Sequence, residues 1–313
     1  VDKLLGSRWN APAFVDLMQG RPLARNSARV GFLGPAFKPF RPDISHLFQR
    51  ELEEGMKGEL ARLGKDHQVN LKLIAGLNAE RLDDRVGLLR QFDDIRRAAD
   101  KDGMMGAMDR FNQQAVGILT SGKFADAMDL EKEDPKILTR YTPRHKEEGA
   151  RGTTADGYNA SRKLLLARRL IEAGVRVVSV TFSDFDTHSK NFARMRHLVP
   201  VVDHAMATLV TDLRERGMLD DVTIVAWGEF GRTPKVNAKG GRDHWSYCSN
   251  ILMTGAGVKH GYVHGSSDRI GAYPSDRPVG PESFIATVYK AMGLDTTMSI
   301  YDPADRPYPI AQH

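Results

Sequence analysis

A regular alternation of helical segments and short apolar runs constrains the fold of this chain more than any other feature. Four segments carry it: a helix over Ala160–Ala173, an apolar run Val177–Phe182, a helix over about Met195–Arg216 and an apolar run Val222–Trp227. Each helix ends next to a glycine, which favours helix termination, and each apolar run has the β-rich composition of a buried strand. Helices alternating with buried strands predict βαβ units with right-handed crossovers. We therefore expect an α/β fold with a central, mostly parallel sheet flanked by helices.

The rest of the chain divides into two further segments. Residues 1–43 are rich in glycine, proline and arginine, so we expect a loop-rich segment that packs on the main domain. Residues 44–156 carry apolar side chains at helical spacing, including Leu82 and Val86, and predict a helical insertion followed by a return loop. Residues 157–313 form the α/β domain, and the candidate site lies in this domain.

Composition excludes several classes of function. The 313 residues carry a net charge of +5 with acidic and basic residues mixed along the chain, so no basic run indicates a nucleic-acid partner. No apolar run approaches the roughly 20 residues of a membrane span. Cys248 is the single cysteine, which excludes an intrachain disulfide framework. The chain enters at Val1 in the middle of a pattern, and we expect that a preceding segment, with any targeting signal, is missing.

Three clusters of polar side chains lie beside these apolar runs. The first contains Asp184, Asp186 and His188, the second Glu229 and Arg232, and the third Asp243 and His244. In open α/β sheets, ligands bind beyond the carboxyl ends of the strands, where loops from neighbouring strands meet. Carboxylate and imidazole groups delivered there from separate loops are the donors that a divalent metal requires. The clusters therefore indicate a metal site.

Each cluster also has a simpler interpretation. Asp186 could cap the following helix or turn while His188 is an ordinary loop residue, because Asp-x-His is a short pattern. Glu229 and Arg232 could form a surface ion pair in a tight turn. His244 precedes its strand, so it reaches the same edge only if its glycine-rich loop doubles back or the strand is antiparallel. The residue pattern alone leaves these alternatives open.

Four strings also carry a resemblance to a known family: Leu164 to Arg176, Asp186-Thr187-His188, Gly228-Glu229-Phe230-Gly231-Arg232-Thr233-Pro234 and Gly241-Arg242-Asp243-His244-Trp245. They resemble a bacterial family, the domain of unknown function 1501, from about Gly31 to the C-terminus. Members of this family are often exported, and the family is grouped with the alkaline phosphatase and sulfatase superfamily.

The resemblance implies a central sheet between helices, with two metal ions at the carboxyl edge of the sheet. Asp186, His188 and His244 are similar to the residues that hold one metal in that superfamily, and Asp184 is an alternative carboxylate. Zinc is the expected metal, with manganese or calcium as alternatives.

Two departures from the superfamily pattern bear on this expectation. Where the superfamily has an Asp–His pair for the other metal, this chain has Glu229-Phe230, which keeps the carboxylate and replaces the imidazole. The superfamily's first metal carboxylate and its Ser, Thr or modified Cys nucleophile belong to an N-terminal strand and helix, and we expect that this chain begins after them. The resemblance therefore implies an active site that is incomplete in this chain.

These inferences combine into one expected function and one alternative. We expect a metal-dependent hydrolase of a small anionic substrate, a phosphate or sulfate ester. Glu229 takes a second ion or orients the ligands of the first, and Arg232 binds the anionic group. The alternative is a non-catalytic exported protein, binding or structural, on the same fold. A periplasmic or secreted location follows from the resemblance alone.

Overall fold

The computed structural model describes residues 1–8, 11–17, 31–33, 37–42, 44, 116–117, 122–142, 158–302 and 304–311. Within them the chain divides into two units, the N-terminal unit Val1–Ser183 and the C-terminal unit Asp184–His313. Each unit has its own helices, strands and buried residues.

The N-terminal unit contains two parallel strands and a set of helices. Its described elements are α1 (Asp2–Leu5), β1 (Phe14–Leu17), α2 (Lys123–Met128), α3 (Pro135–Arg140), α4 (Arg162–Glu172) and β2 (Val177–Val180), with 3-10 turns at Gly31–Leu33, Leu130–Lys132 and Tyr158–Ser161. β1 pairs with β2 in parallel, from Phe14 opposite Val177 to Leu17 opposite Val180. Phe40 pairs with β1 on its other side.

Helix α4 provides much of the core of this unit. Leu166 and Leu170, four residues apart on one side of the helix, are fully buried, as are Val15 and Leu17 of β1. α4 packs against both α2 and β2. Burial of large apolar side chains of this kind stabilises a fold by about 1.5–3 kcal/mol per residue, so α4 anchors the N-terminal unit.

A buried ion cluster also ties α4 to the turn after α2. Arg168 and Arg169 place their guanidinium groups 2.7 and 2.8 Å from the same oxygen of Glu133, and Arg168 lies 2.6 Å from Glu172. Burial alone would raise the pKa of the Glu133 carboxyl, but hydrogen bonds from Arg169 and Arg168 hold that pKa below its ordinary value. Glu133 is therefore ionised at neutral pH and compensates charge that would otherwise be buried.

The C-terminal unit contains one long helix, one shorter helix and four antiparallel strand pairs among its described residues. Its elements are α5 (Asn191–Glu215), β3 (Thr223–Trp227), β4 (Gly231–Arg232), β5 (His244–Trp245), β6 (Ile251–Gly255), β7 (Ser266–Ser267), β8 (Pro274–Asp276), α6 (Pro281–Ala291), β9 (Ser299–Tyr301) and β10 (Pro307–Pro309). The pairs are β3 with β6, β4 with β5, β7 with β8 and β9 with β10.

The antiparallel direction of β6 answers a question that the sequence left open. Trp227 at the end of β3 lies opposite Ile251 at the start of β6. The end of β3 and the start of β6 therefore lie side by side, and the segment that connects them starts and finishes at this end of the pair. β4 and β5, which carry Arg232 and His244, lie within this connecting segment. His244 thus comes to the carboxyl end of β3 although it precedes β6 in the chain.

The two predicted helices correspond to α4 and α5 and the two apolar runs to β2 and β3, with shifts at their ends. α5 starts at Asn191, earlier than predicted, and contains Pro200 in its interior. β1 lies inside the segment 1–43 and is not predicted by the sequence analysis.

The wider fold and the domain boundaries stay predictions. In the part of the chain that the structure describes, the named strands form two-stranded sheets, and β1 with β2 is the parallel pair among them. Most of the predicted helical insertion over 44–156, including Leu82 and Val86, lies outside the described residues. Among the helices that are described, none combines the length and the apolar character that crossing a membrane requires.

Candidate metal centre

Three donor side chains from two segments of the C-terminal unit converge on one point. Asp186 and His188 lie in the segment before α5, and His244 begins β5. The Nε2 atom of His188 lies 2.9 Å from Oδ1 of Asp186 and 3.2 Å from Nε2 of His244, and the latter nitrogen lies 3.0 Å from the same Asp186 oxygen. Among the described residues these three form a group whose ligand atoms all lie within 4.8 Å of one another.

The spacing of the three donors matches the requirement of a tetrahedral ion. Zinc binds imidazole nitrogen and carboxylate oxygen at roughly 2.0–2.2 Å, so two ligands of a tetrahedral site are separated by about 3.3 Å. The separations of 2.9–3.2 Å are slightly shorter than this value. A small outward movement of each side chain would admit the ion, and the residues therefore fit a divalent metal.

Electrostatics at Asp186 favour the ionised carboxylate that a metal ligand requires. The guanidinium of Arg232 donates a hydrogen bond of 2.6 Å to Oδ1 of Asp186. Burial alone would raise the pKa of this carboxyl, but the hydrogen bonds from Arg232 and His244 hold the pKa below its ordinary value. Asp186 is thus negatively charged at neutral pH and faces the two imidazoles.

Asp243 contacts the second ring nitrogen of His188. The Nδ1 atom of His188 lies 2.8 Å from Oδ1 of Asp243. The hydrogen bonds from His188 and Asn237 keep the pKa of Asp243 low, so this carboxylate is ionised and can only accept a proton. A proton on Nδ1 would be donated to Asp243 and would leave the lone pair of Nε2 facing Asp186 and His244, as metal binding requires. A carboxylate behind a histidine in this way is a usual partner of metal-binding histidines.

Close approach at two glycines brings the contributing loops together. A Cβ atom at position 241 would lie 2.0 Å from the carbonyl carbon of His188 and 2.4 Å from the nitrogen of Ser189. A Cβ at position 231 would lie 1.8 Å from the carbonyl oxygen of Cys248. Both distances are too short for any other residue, so Gly241 and Gly231 allow the backbones that carry His188 and Arg232 to pack closely.

An aromatic ring covers one side of the donor group. The ring centroids of Phe230 and His244 are 4.4 Å apart, and those of His188 and His244 are 4.8 Å apart. The guanidinium of Arg232 lies 5.7 Å from the centroid of Phe230. Phe230 therefore restricts His244 by packing, in the position where the resemblance would place a second imidazole.

The structure brings together four of the six residues that the sequence singled out for metal or anion binding, namely Asp186, His188, His244 and Arg232. Asp184 and Glu229 are not members of the converging group in the described part of the chain. Glu229 is exposed in a bend after β3, and Asp184 has a left-handed backbone with φ of 73°. A role for either residue as a ligand stays a prediction.

Sequence reasoning missed the partners that hold His188. Asp243 was named beside His244 in the third polar cluster but not as the acceptor for His188, and Asn237 was not singled out. The signal that would have found Asp243 is chemical, because a ligating histidine needs an acceptor for its second nitrogen. An aspartate directly beside His244 was the available candidate.

Comparison with known proteins gives one family and no individual relative. The sequence pattern of the family described as "Protein of unknown function (DUF1501)" matches residues 1–313. No curated protein and no solved structure matches the chain. The match covers the full sequence and includes every residue of the converging group. The chain therefore belongs to the DUF1501 family of proteins of unknown function.

Proposed function

We propose that this chain binds a divalent metal ion at Asp186, His188 and His244 and acts as a metal-dependent hydrolase of phosphate or sulfate esters. The observation that supports the proposal is the convergence of two imidazole nitrogens and one carboxylate oxygen at separations of 2.9–3.2 Å. The family match is compatible with this function but names no activity.

The donor set favours zinc over the alternatives. Zinc accepts mixed nitrogen and oxygen ligands in a tetrahedral arrangement, and three protein ligands leave a fourth position for water or substrate. Calcium prefers six to eight oxygen ligands, and manganese is bound more weakly than zinc by the same nitrogen donors. A zinc ion held here would supply a Lewis acid that polarises the bond to be cleaved.

Exposure of the donors is consistent with access by a substrate. The side chains of Asp186, His188 and His244 are 60%, 47% and 49% exposed. Arg232 uses one nitrogen for Asp186, and a guanidinium has five N–H donors in all. Its remaining donors would bind the anionic group of the ester beside the metal donors, while Asp186 keeps the guanidinium in place.

The alternative is a non-catalytic binding protein on the same fold, and one observation favours it. Phe230 packs on His244 at 4.4 Å, so an apolar ring occupies the position where the resemblance implies an imidazole for a second metal. A site with one metal ion and an aromatic wall can hold an anionic ligand without cleaving it. Metal content and hydrolysis therefore need separate measurements.

The first experiment measures zinc content by elemental mass spectrometry after loading and desalting. We expect close to one zinc per chain in the wild type and loss of zinc in both His188→Ala and His244→Ala, because each variant removes one of three ligands. His260→Ala is the matched control, since His260 is exposed and outside the group of donors. Equal zinc in all four proteins, or none in the wild type, would contradict the proposed site.

Hydrolysis then separates the two functions. Zinc-loaded protein is incubated with an aryl phosphate and with an aryl sulfate, and release of the phenol is followed by absorbance. We expect release with one of the two esters and its loss in His188→Ala. Stoichiometric zinc without release of phenol from either ester would favour the binding protein.

A further inference from the structure

Asn237 makes side-chain hydrogen bonds to both loops that carry the metal donors. Its Nδ2 donates to the carbonyl oxygen of His188 at 3.1 Å and to the two carboxylate oxygens of Asp243 at 3.2 and 3.3 Å. Its Oδ1 accepts from the backbone nitrogens of Lys239 and Gly241 at 3.0 and 2.9 Å. Both ends of this amide are therefore engaged.

Backbone hydrogen bonds dock the same loop on the segment that carries His188. Asn237 donates to Gly241 at 2.8 Å, and Gly240 donates to Asn237 at 3.0 Å, so the loop closes on itself. Between the two segments, Arg242 donates to Thr187 at 3.0 Å, Lys190 donates to Lys239 at 3.1 Å and Asn191 donates to Gly240 at 2.8 Å. The side chain of Asn237 lies inside a loop that is already close to His188.

His188 is consequently held at two points by one side chain. Its backbone carbonyl oxygen accepts a hydrogen bond directly from Nδ2 of Asn237. Its ring is held through Asp243, because Nδ2 of Asn237 restrains the carboxylate that accepts from Nδ1 of His188. We infer that Asn237 is a positioning residue that keeps His188 in the orientation and tautomer needed for metal binding. This inference rests on the metal site proposed above.

The chemistry of the amide explains why this position requires asparagine. The site needs two N–H donors toward oxygen atoms and one acceptor toward backbone N–H groups, and an amide offers both on one planar group. An aspartate has the same shape but only acceptors, and it would place a second negative charge against Asp243. An aspartate at position 237 therefore keeps the loop contacts and specifically removes the contacts to His188 and Asp243.

The test compares Asn237→Asp with Asn250→Asp in the full chain. Asn250 is exposed before β6, and its substitution adds the same charge in the same unit. In metal-free protein, nitrogen NMR of the histidine rings reports which nitrogen of His188 carries the proton, with the His188 signal assigned from its loss in His188→Ala. We expect the Nδ1–H form in the wild type and in Asn250→Asp, and a mixture of the two tautomers in Asn237→Asp.

Zinc affinity gives the second measurement. Removal of a group that orients a ligand typically weakens metal binding about 10–100-fold, and we expect a Kd for zinc raised by this factor in Asn237→Asp and unchanged in Asn250→Asp. Asn237→Ser covers the case in which Asn237→Asp does not fold. Its hydroxyl can still accept from the nearby backbone but is too short to reach Asp243, so the same results are expected.

Two results separate failure of this inference from failure of the proposed function. An unchanged tautomer together with a zinc Kd within twofold of the wild type in a folded Asn237 variant would overturn the role of Asn237. Absence of zinc binding in the wild type would overturn the metal site. Even then, the tautomer of His188 in the metal-free proteins decides whether Asn237 positions that ring.

Discussion

At the scale of single residues, the candidate metal centre depends on a glycine, Gly241. Gly241 lies so close to the backbone of His188 and Ser189 that a Cβ atom would overlap with both. The hydrogen bonds that His188 makes with Asn237 and with Asp243 are possible only because the loop can approach to this distance. The geometry of the donors is thus set by a residue that offers no donor itself.

Substitution of Gly241 by alanine should therefore damage the metal site. The added methyl group must displace backbone rather than a flexible side chain, and overpacking of this kind costs typically about 1–3 kcal/mol. We expect a lower free energy of unfolding in denaturant and a weaker zinc affinity. Gly228→Ala is the control, because the nearest atom to its Cβ would be the carbonyl oxygen of Phe230 at 3.5 Å, an ordinary contact. Wild-type stability and affinity in Gly241→Ala would show that the two loops are not held at this distance.

At the scale of elements, the sequence predicted most clearly those with strong local signals. α4 lies within the predicted range because periodic apolar residues fill it and a glycine follows it. The start of α5 was placed too late, at about Met195 instead of Asn191, and Pro200 lies inside both the predicted and the observed helix. The two-residue strands β4 and β5 are too short to show any periodicity. Their pairing follows from long-range contacts that a local pattern does not contain.

The residues of the candidate site likewise divide into those that local sequence signals predicted and those that they did not. Residue types and their proximity to strands indicated a metal site, and the resemblance grouped Asp186, His188 and His244 as its ligands, the three residues that converge in the structure. Asn237 was missed because its role depends on how its loop docks, and asparagine in a glycine-rich loop is most simply a turn residue. Asp243 as a partner of His188 depends on the same docking. Donor type is local information, whereas the contacts that orient a donor are not.

The attachment of α4 through Glu133 leads to a prediction about stability. In Glu133→Gln the guanidinium groups of Arg168 and Arg169 lose their shared anionic partner, and breaking a buried pair from one side costs about 3–5 kcal/mol. We expect a loss of this order in the free energy of unfolding from denaturant titration at neutral pH. Glu131→Gln is the control, because Glu131 is exposed in the neighbouring turn. A loss equal to that of the control would show that the buried cluster adds no stability.

The pH dependence of the same cluster has a definite sign. The pKa of Glu133 is lowered in the folded state from an ordinary value of 4.5, so the unfolded chain binds the proton more tightly. The contribution of Glu133 to stability is therefore complete above pH 4.5 and is lost as the pH falls through the lower pKa of the folded state. We expect thermal unfolding between pH 7 and pH 3 to show a smaller acid-induced loss in Glu133→Gln than in the wild type. Parallel pH profiles of the two proteins would contradict this assignment.

At the scale of the whole molecule, all the proposed metal donors belong to the C-terminal unit. Asp186, His188 and His244 lie after the division at Ser183, and so do Asn237 and Asp243, which orient His188. The buried ion cluster around Glu133 lies entirely in the N-terminal unit. The proposed metal donors and the ion cluster around Glu133 therefore belong to different parts of the chain.

Hydrogen exchange with and without zinc tests this division. A ligand present at about 100 times its Kd stabilises the folded state by about 2.7 kcal/mol, and local opening near the site is suppressed first. We expect slower exchange in the segment 187–191 and the loop 237–243, and little change in α4, β1 and β2. Removal of zinc with a chelator should restore the original rates. Slower exchange centred on α4 would place the metal outside the proposed donors.

The return of the chain from β3 to β6 has a consequence for how such proteins diversify. Because Trp227 and Ile251 lie opposite each other in the β3–β6 pair, the segment that connects them begins and ends at the same edge of that pair. Lengthening a loop whose ends are fixed costs little entropy. The segment between β3 and β6 can therefore accept insertions or be replaced during evolution without a change in either strand. This connecting segment contains Glu229, Arg232 and His244, whereas Asp186 and His188 lie outside it. Changes in the segment between β3 and β6 can therefore alter the surroundings of Arg232 and His244 while Asp186 and His188 stay in place.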